Sequence, residues 1–354
     1  MQVTVCFRLF FSGKVLRGMP ATRPLVLGYY PAWDSSLPPS KIDYRLYTHL
    51  AHAFASVNGA SGALTVPDRA ASQELCARAH AAGVKVVLSV GGAESDASLN
   101  QATKTPGGIE RLADHLAAAT RAVGYDGLDI DWEFPTDAAS QERMVSLVRA
   151  IRRRLPGATL SMAVPALDWN GHWFERDDLA PTLDFVNVML YDFHGPWTKH
   201  AGHNAPLGFS PQDGHAECRT VTIESSLTYW LKQKRWPKEK LLFGIPLYGR
   251  GFQTPHLGGA ASGDHERSYV SYRDIQKLQA TGWRRTWDGA AQAPILQNSG
   301  NTEVISYDDL TSVKRKAQYA REAGVAGIFF WEITQDFDGK TNPLVRAARA
   351  GLTG

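Results

Sequence analysis

Eight short apolar runs recur along the chain, at 25–30, 49–55, 84–90, 127–134, 159–165, 185–191, 241–247 and 327–331. Each is nearly continuous rather than alternating, which is the pattern of a parallel strand covered on both faces. Helical patterns fall between most of them. Strand followed by helix, repeated eight times, predicts an α/β fold: a (β/α)8 barrel of the TIM type. With 354 residues, the chain is long enough for one such barrel, typically about 250 residues, plus an insertion. The interval 251–306 is too long to be a simple connection between strand seven and helix seven. Its Gly, Ser, aromatic and short β-like runs predict a small α+β insertion on top of the barrel. The expected organisation is a leader over 1–23, a catalytic barrel over 24–250 and 307–354, and the insertion over 251–306.

The helical stretches carry their own punctuation. A pattern over 68–82 stops at Gly83 and one over 108–123 at Gly124, both good C-terminal caps. The stretch 140–155 ends at Pro156-Gly157, with Arg152, Arg153 and Arg154 in its last turn, where positive charge suits the helix dipole. Further helices are expected over 223–234, 308–323 and 343–351.

Lys and Arg total 38 against 35 Asp and Glu, a balance that excludes an electrostatic nucleic-acid binder. No run approaches the roughly 18 apolar residues of a membrane span, so no membrane partner is expected. Cys6, Cys76 and Cys218 form no C-x-x-C pair and no disulfide framework. At the N-terminus, residues 3–11 are apolar except for Arg8, and Lys14 and Arg17 follow. A signal peptide places its charge before the apolar run and a small-residue cleavage site after it. That order is not met, so the segment reads first as a leader without a role in the fold, with Met19 as a second start.

The segment that carries chemistry is Asp126-Gly127-Leu128-Asp129-Ile130-Asp131-Trp132-Glu133. Side chains alternate along a strand. Leu128, Ile130 and Trp132 therefore face the helices, while Asp129, Asp131 and Glu133 face the barrel interior, with Glu133 nearest the C-terminal mouth. Barrel active sites lie at that mouth. Burying three carboxylates is costly unless they are paired, protonated or used. Crowding raises at least one pKa, and a carboxyl that stays protonated near neutral pH can serve as a general acid. A merely hydrogen-bonded acidic core and a metal site are the competing readings. No H-E-x-x-H is present, and His194, His200 and His203 read as loop hydrogen-bonders or sugar contacts before metal ligands. No metal and no cofactor are expected.

This segment resembles the D-G-x-D-x-D-W-E signature of family 18 glycoside hydrolases, the chitinase family, and other segments follow in that family's order. Ser89-Val90-Gly91-Gly92 is similar to its S-x-G-G. Met189-Leu190-Tyr191-Asp192, continuing through Phe193-His194-Gly195-Pro196-Trp197, is similar to its M-x-Y-D loop. Tyr248-Gly249-Arg250 is similar to its Y-G-R, and Trp331 ends the last strand where the family floors its sugar site. Ala93 stands where the family often has Trp.

The resemblance implies a chitinase that cleaves β-1,4-linked N-acetylglucosamine polymers with retention and with help from the substrate's own acetamide. It implies catalytic roles for Glu133 (acid, then base), Asp131, Asp129 and Tyr191. It implies substrate binding or support by Asp192, Met189, Trp331, Tyr248, Arg250, Trp197, Tyr29, Ser89 and Phe54. Trp33, Trp169, Trp173 and Trp283 fall in expected top loops or the insertion, where such rings either stack on sugars or pack. The implied partners are chitin and chitooligosaccharides, acting on a monomer; the polymeric substrate implies secretion. An endo-N-acetylglucosaminidase acting on N-glycan or peptidoglycan would use the same acidic strand, and a non-catalytic chitin-binding lectin would share the fold.

Overall fold

The computed structural model describes residues 23–261 and 263–354; the leader read over 1–23 lies, but for its last residue, outside them. Eight parallel strands form the barrel: Leu25–Pro31, His49–Val57, Lys85–Gly92, Gly127–Trp132, Thr159–Pro165, Phe185–Met189, Leu241–Pro246 and Gly327–Trp331. They neighbour one another in chain order, and the first strand closes the sheet by pairing with both the second and the eighth. The expected (β/α)8 barrel is the observed fold.

Register decides which side chains meet inside it. Ser89 lies opposite Asp129, and Asp129 opposite Ser161. Gly91 lies opposite Asp131. On the next pair, Ala163 lies opposite Asn187. Because partners across a parallel ladder face the same side, the acidic strand is flanked by small and polar residues on the barrel interior. Its other face, Leu128, Ile130 and Trp132, is fully buried against the surrounding layer.

The outer helices start where side chains satisfy their free N–H groups. Asp68 caps Arg69–Ala81. Asp137 and Ser140 form a reciprocal box at the start of Ala138–Arg154, and Asp309 with Ser312 does the same for Leu310–Ala323; each such cap is worth about 1 kcal/mol. Gly108–Val123 ends at Gly124 in the left-handed region (φ 93°), a conformation glycine adopts without a side-chain clash. The arginine run finds local partners: Arg152 meets Asp184, Arg153 meets Glu110, and Arg154 meets Glu110 and Asp114.

Three local details differ from the sequence reading. The acidic strand ends at Trp132, so Glu133 is the first residue beyond the ladder rather than part of it. A helix over Asp96–Lys104 had no strong periodic signal and was not expected. Strand seven stops at Pro246, one residue short of the expected end, and Tyr248–Phe252 already belongs to a second sheet. That sheet is antiparallel, running in space through Val270–Ser271, Tyr248–Phe252, Val304–Ser306, Ala293–Gln297 and Arg284–Asp288, with the helix Tyr272–Ala280 beside it. It places Tyr248 and Arg250 on a wall above the barrel mouth. Among the described residues no helix is long and apolar enough to cross a membrane.

Candidate active site

At the C-terminal mouth lies a cleft of about 510 Å³. Its floor and walls include Tyr29, Phe54, Asp131, Glu133, Met189, Tyr191, Asp192, Arg250 and Trp331, all named from sequence. Ser89 and Asp129 lie beneath this surface. Tyr248 stands behind Asp192, and Trp197 is on the rim, 58% exposed.

Asp129 anchors the base. It is fully buried and accepts hydrogen bonds from four side chains: Tyr29 Oη at 2.8 Å, Ser89 Oγ at 2.8 Å, Ser161 Oγ at 2.6 Å and Asn187 Nδ2 at 3.1 Å. Burial still raises its pKa, although Ser161, Tyr29 and Ser89 pull the other way. Asp131, one pleat further along, is buried with its Oδ1 unpartnered among the described residues. Burial, then the charges of Glu133 and Asp129, push its pKa well up.

Glu133 faces the cleft from the first position after the strand. Burial, joined by the nearby Asp192 charge, raises its carboxyl to about 7. Carboxylates stacked along one line of the barrel thus share fewer protons than sites near neutrality, which is the condition for a general acid at that pH. Tyr191 keeps its proton, its pKa driven up by burial and by Asp131 and Glu133, so its hydroxyl is available as a donor.

The opposite wall is built around Asp192, held in the left-handed region at φ 61°. Tyr248 Oη donates to its Oδ1 at 2.7 Å, and Arg250 Nε donates to the same oxygen at 2.8 Å. The Arg250 guanidinium is sandwiched among rings, 4.9 Å from the centroid of Trp197, 5.3 Å from Tyr248 and 5.0 Å from Tyr269. Stacked cation–π contacts of this kind hold both the arginine and the rim tryptophan.

The floor is aromatic. Trp331 packs edge-on to Tyr29 at 5.3 Å and stacks with Phe54 at 5.6 Å, and Phe54 in turn stacks with Trp33 at 5.8 Å. Gly92 permits this: it sits at φ 92°, and a Cβ there would lie 2.6 Å from the Phe54 ring. Trp33 lines the cleft, whereas Trp169, Trp173 and Trp283 do not.

Sequence reasoning missed several members. Ser161 and Asn187 complete the shell of Asp129; both occupy inward positions by strand alternation, and that alternation could have found them. Tyr269, Glu332 and Gln335 line the cleft as well. Gln335 Nε2 donates to Tyr269 Oη at 2.6 Å, but these residues come from the insertion and the loop after strand eight, where no local pattern marks them. His194, His200 and His203 stay outside the cleft. His203 is fully buried between Ser306 (3.0 Å) and Asp288 (3.2 Å).

Residues 25–336 match the model of glycosyl hydrolases family 18. Endochitinase 1 of Metarhizium robertsii is 30% identical over 271 residues, which is 72% of this chain and 62% of that protein, so the chain spans less than two thirds of its length. The Group IV chitinase of Ostrinia furnacalis superposes with a TM-score of 0.86 at 26% identity, covering 94% of this chain and all of that one. A Cycas revoluta family 18 chitinase solved with (GlcNAc)3 superposes with a TM-score of 0.82 at 28% identity, covering 92% and 99%. Barrel, acidic strand and family match agree over the same residues: the chain belongs to glycosyl hydrolases family 18.

Proposed function

We propose that this chain is a chitinase that hydrolyses β-1,4-linked N-acetylglucosamine polymers with retention, using the substrate's acetamide as the nucleophile. The observation that carries the reading is Glu133: a carboxyl at the barrel mouth, open to the cleft, whose pKa is raised to about 7, two residues beyond an Asp131 oxygen that is buried without a partner among the described residues.

In the first step the Glu133 proton passes to the glycosidic oxygen as the C1–O bond breaks. The acetamide carbonyl oxygen forms a bond to C1 from the other face, giving an oxazolinium ion. Asp131 accepts the acetamide N–H and balances the growing positive charge. Asp129, held by its four donors, stands behind it, and its charge helps to keep the Asp131 pKa raised. The hydroxyl of Tyr191 and the carboxyl of Asp192 bracket the acetamide from the opposite wall. Such placed groups act most strongly on charge that develops in the transition state. In the second step Glu133, now ionised, takes a proton from water as that water opens the oxazolinium. Proton transfer by one positioned group contributes roughly 10²–10⁴-fold.

Trp331 offers its face to the sugar, with Phe54 and Trp33 extending the platform and Met189 lining the pocket beneath. The Cycas revoluta relative holds (GlcNAc)3, which supports chitooligosaccharides as ligands here. A polymer of this kind is met outside the cell, which supports an exported enzyme.

The test is hydrolysis of the N-acetylglucosamine hexamer by wild type and Glu133→Gln, with products and their anomers resolved. β-Anomers from the wild type and none from a folded, ligand-binding variant support the reading. Undiminished turnover by Glu133→Gln removes the acid assignment. Binding without turnover by the wild type moves the substrate to an N-glycan or peptidoglycan, or makes the chain a lectin.

A further inference from the structure

A second cluster of chemistry-bearing side chains lies beside the cleft, in the loop that leaves the sixth barrel strand. His194, His200, Asp213 and Cys218 each bring one ligand-type atom to a common point, with all of these atoms within 4.8 Å of one another. Cys218 Sγ lies 3.3 Å from His200 Nε2 and 3.5 Å from His194 Nε2. A tetrahedral zinc ion, with Zn–S of about 2.3 Å and Zn–N of about 2.0–2.1 Å, sets sulfur and nitrogen ligands roughly 3.5 Å apart. These two edges already have about that length.

The tautomer of His194 agrees. Its Nδ1 lies 3.0 Å from the His203 carbonyl oxygen. A carbonyl only accepts, so Nδ1 carries the proton and the neutral ring turns the lone pair of Nε2 toward Cys218. A metal-bound histidine is oriented in this way, with its other ring N–H donated to a carbonyl or carboxylate. Asp213 supplies the separate sign. It is 2% exposed, and its Oδ1 has no hydrogen-bond partner among the described residues. A buried carboxylate oxygen left unmatched is costly, and a cation at the common point would satisfy it.

We infer that His194, His200, Asp213 and Cys218 form a structural zinc site. One thiolate, two imidazoles and one carboxylate are the donor set zinc takes, and four protein ligands leave no open position, which marks a closed site rather than a catalytic one. The site departs from the sequence reading, in which His194 and His200 read as loop hydrogen-bonders or sugar contacts before metal ligands and no metal is expected. Its place in the fold gives it a use. His200 bridges to Ala260, and Ala201 exchanges backbone hydrogen bonds with Gly259 (2.9 Å) and Gly258 (2.8 Å). The loop that carries Asp192 and Trp197 is thereby joined to the insertion, and the ion pins the two short helical turns Pro211–Asp213 and Ala216–Thr220 beneath that wall. A rival set, His200 with His215 and Glu217, is more exposed; the His215 ring stacks on His200 with centroids 3.7 Å apart.

The test uses the full chain, stripped with a chelator, reloaded with zinc chloride and freed of excess. Zinc per chain is measured by elemental analysis and thermal melting is followed beside it. One zinc per chain and a melting temperature that rises on reloading are expected. Cys218→Ser and His200→Ala should each weaken zinc binding by more than the roughly 10–100-fold that loss of an outer-shell partner costs, measured by competition with a chromophoric chelator, and lose the zinc-dependent rise; His215→Ala should keep both. His200 is half-buried, so its removal reads out the site even if the Cys218 variant folds poorly. Cobalt in place of zinc should show thiolate-to-metal charge-transfer absorption that Cys218→Ser abolishes. A wild type that retains no zinc, zinc affinity unchanged in both Cys218→Ser and His200→Ala, or a loss confined to His215→Ala overturns the site.

Discussion

Asp129 and Asp131 stand one pleat apart on the same strand, and they are satisfied in opposite ways. Asp129 takes hydrogen bonds from Tyr29, Ser89, Ser161 and Asn187, whereas Asp131 keeps Oδ1 buried and unpartnered among the described residues. The first arrangement is finished before substrate arrives. The second leaves an acceptor waiting beside Glu133, and in the proposed mechanism a substrate N–H fills it.

This contrast separates two substitutions. Asp131→Asn should fold normally and lose roughly 10²-fold or more in kcat, the cost of removing one well-placed polar group from a transition state. Asp129→Asn replaces an acceptor-only group with one that carries two donors, so its four donors no longer all find lone pairs, and stability should fall by about 1–3 kcal/mol. Hexamer turnover and thermal melting of both variants check this. Near-normal turnover by Asp131→Asn would remove substrate assistance from the mechanism.

The pH profile follows from Glu133. In the proposed mechanism it holds its proton to begin the reaction, and its pKa is raised to about 7 by burial and by Asp192, so kcat/KM should decline as pH rises through that value. Asp192→Asn removes the neighbouring charge and leaves Arg250 close by. Whatever it does to the maximum rate, it should move the alkaline limb to lower pH. An unmoved limb would show that Glu133 is not the group being titrated.

Arg250→Lys keeps the charge beside Asp192 but loses the flat guanidinium that lies against Trp197, Tyr248 and Tyr269. Losing such stacking costs about 1 kcal/mol, which should appear mainly as a KM several-fold higher for long oligosaccharides. Equal effects on dimer-sized and hexamer-sized substrates would detach the rim from chain binding.

Glu332 gives a stability test away from the proton transfer. It is 3% exposed, and burial is the main reason its pKa stands at about 7 rather than the ordinary 4.5. The folded state therefore binds a proton that the unfolded state has released. Its contribution is complete below about pH 4.5 and is lost as pH rises to about 7, amounting to at most about 3 kcal/mol. Glu332→Gln should flatten the fall in melting temperature between those two pH values; an unchanged slope would show that the carboxyl titrates normally.

Much of the molecule could be read from local pattern. Eight covered strands announce themselves as continuous apolar runs, because a strand buried on both faces has no solvent side to make polar. The inward direction of Asp129 and Asp131 follows from the two-residue period alone, and Glu133 continues that line even though the ladder ends before it. The helix boundaries moved by a residue or two wherever a cap set the start, as Asp137 and Asp309 do.

What the chain alone determined, then, was the barrel and the line of carboxylates along its fourth strand, since periodicity is a property of neighbouring residues. Only tertiary structure decided the partners. Tyr29 reaches Asp129 across a hundred residues of chain, Tyr269 arrives from the insertion to complete the ring stack on Arg250, and Cys218 meets His194 through two turns with no repeating pattern. Such meetings depend on register across the barrel and on how long loops fold back over its mouth. The raised pKa of Glu133 belongs to the same class, because burial and the charge of Asp192 exist only once the mouth is assembled.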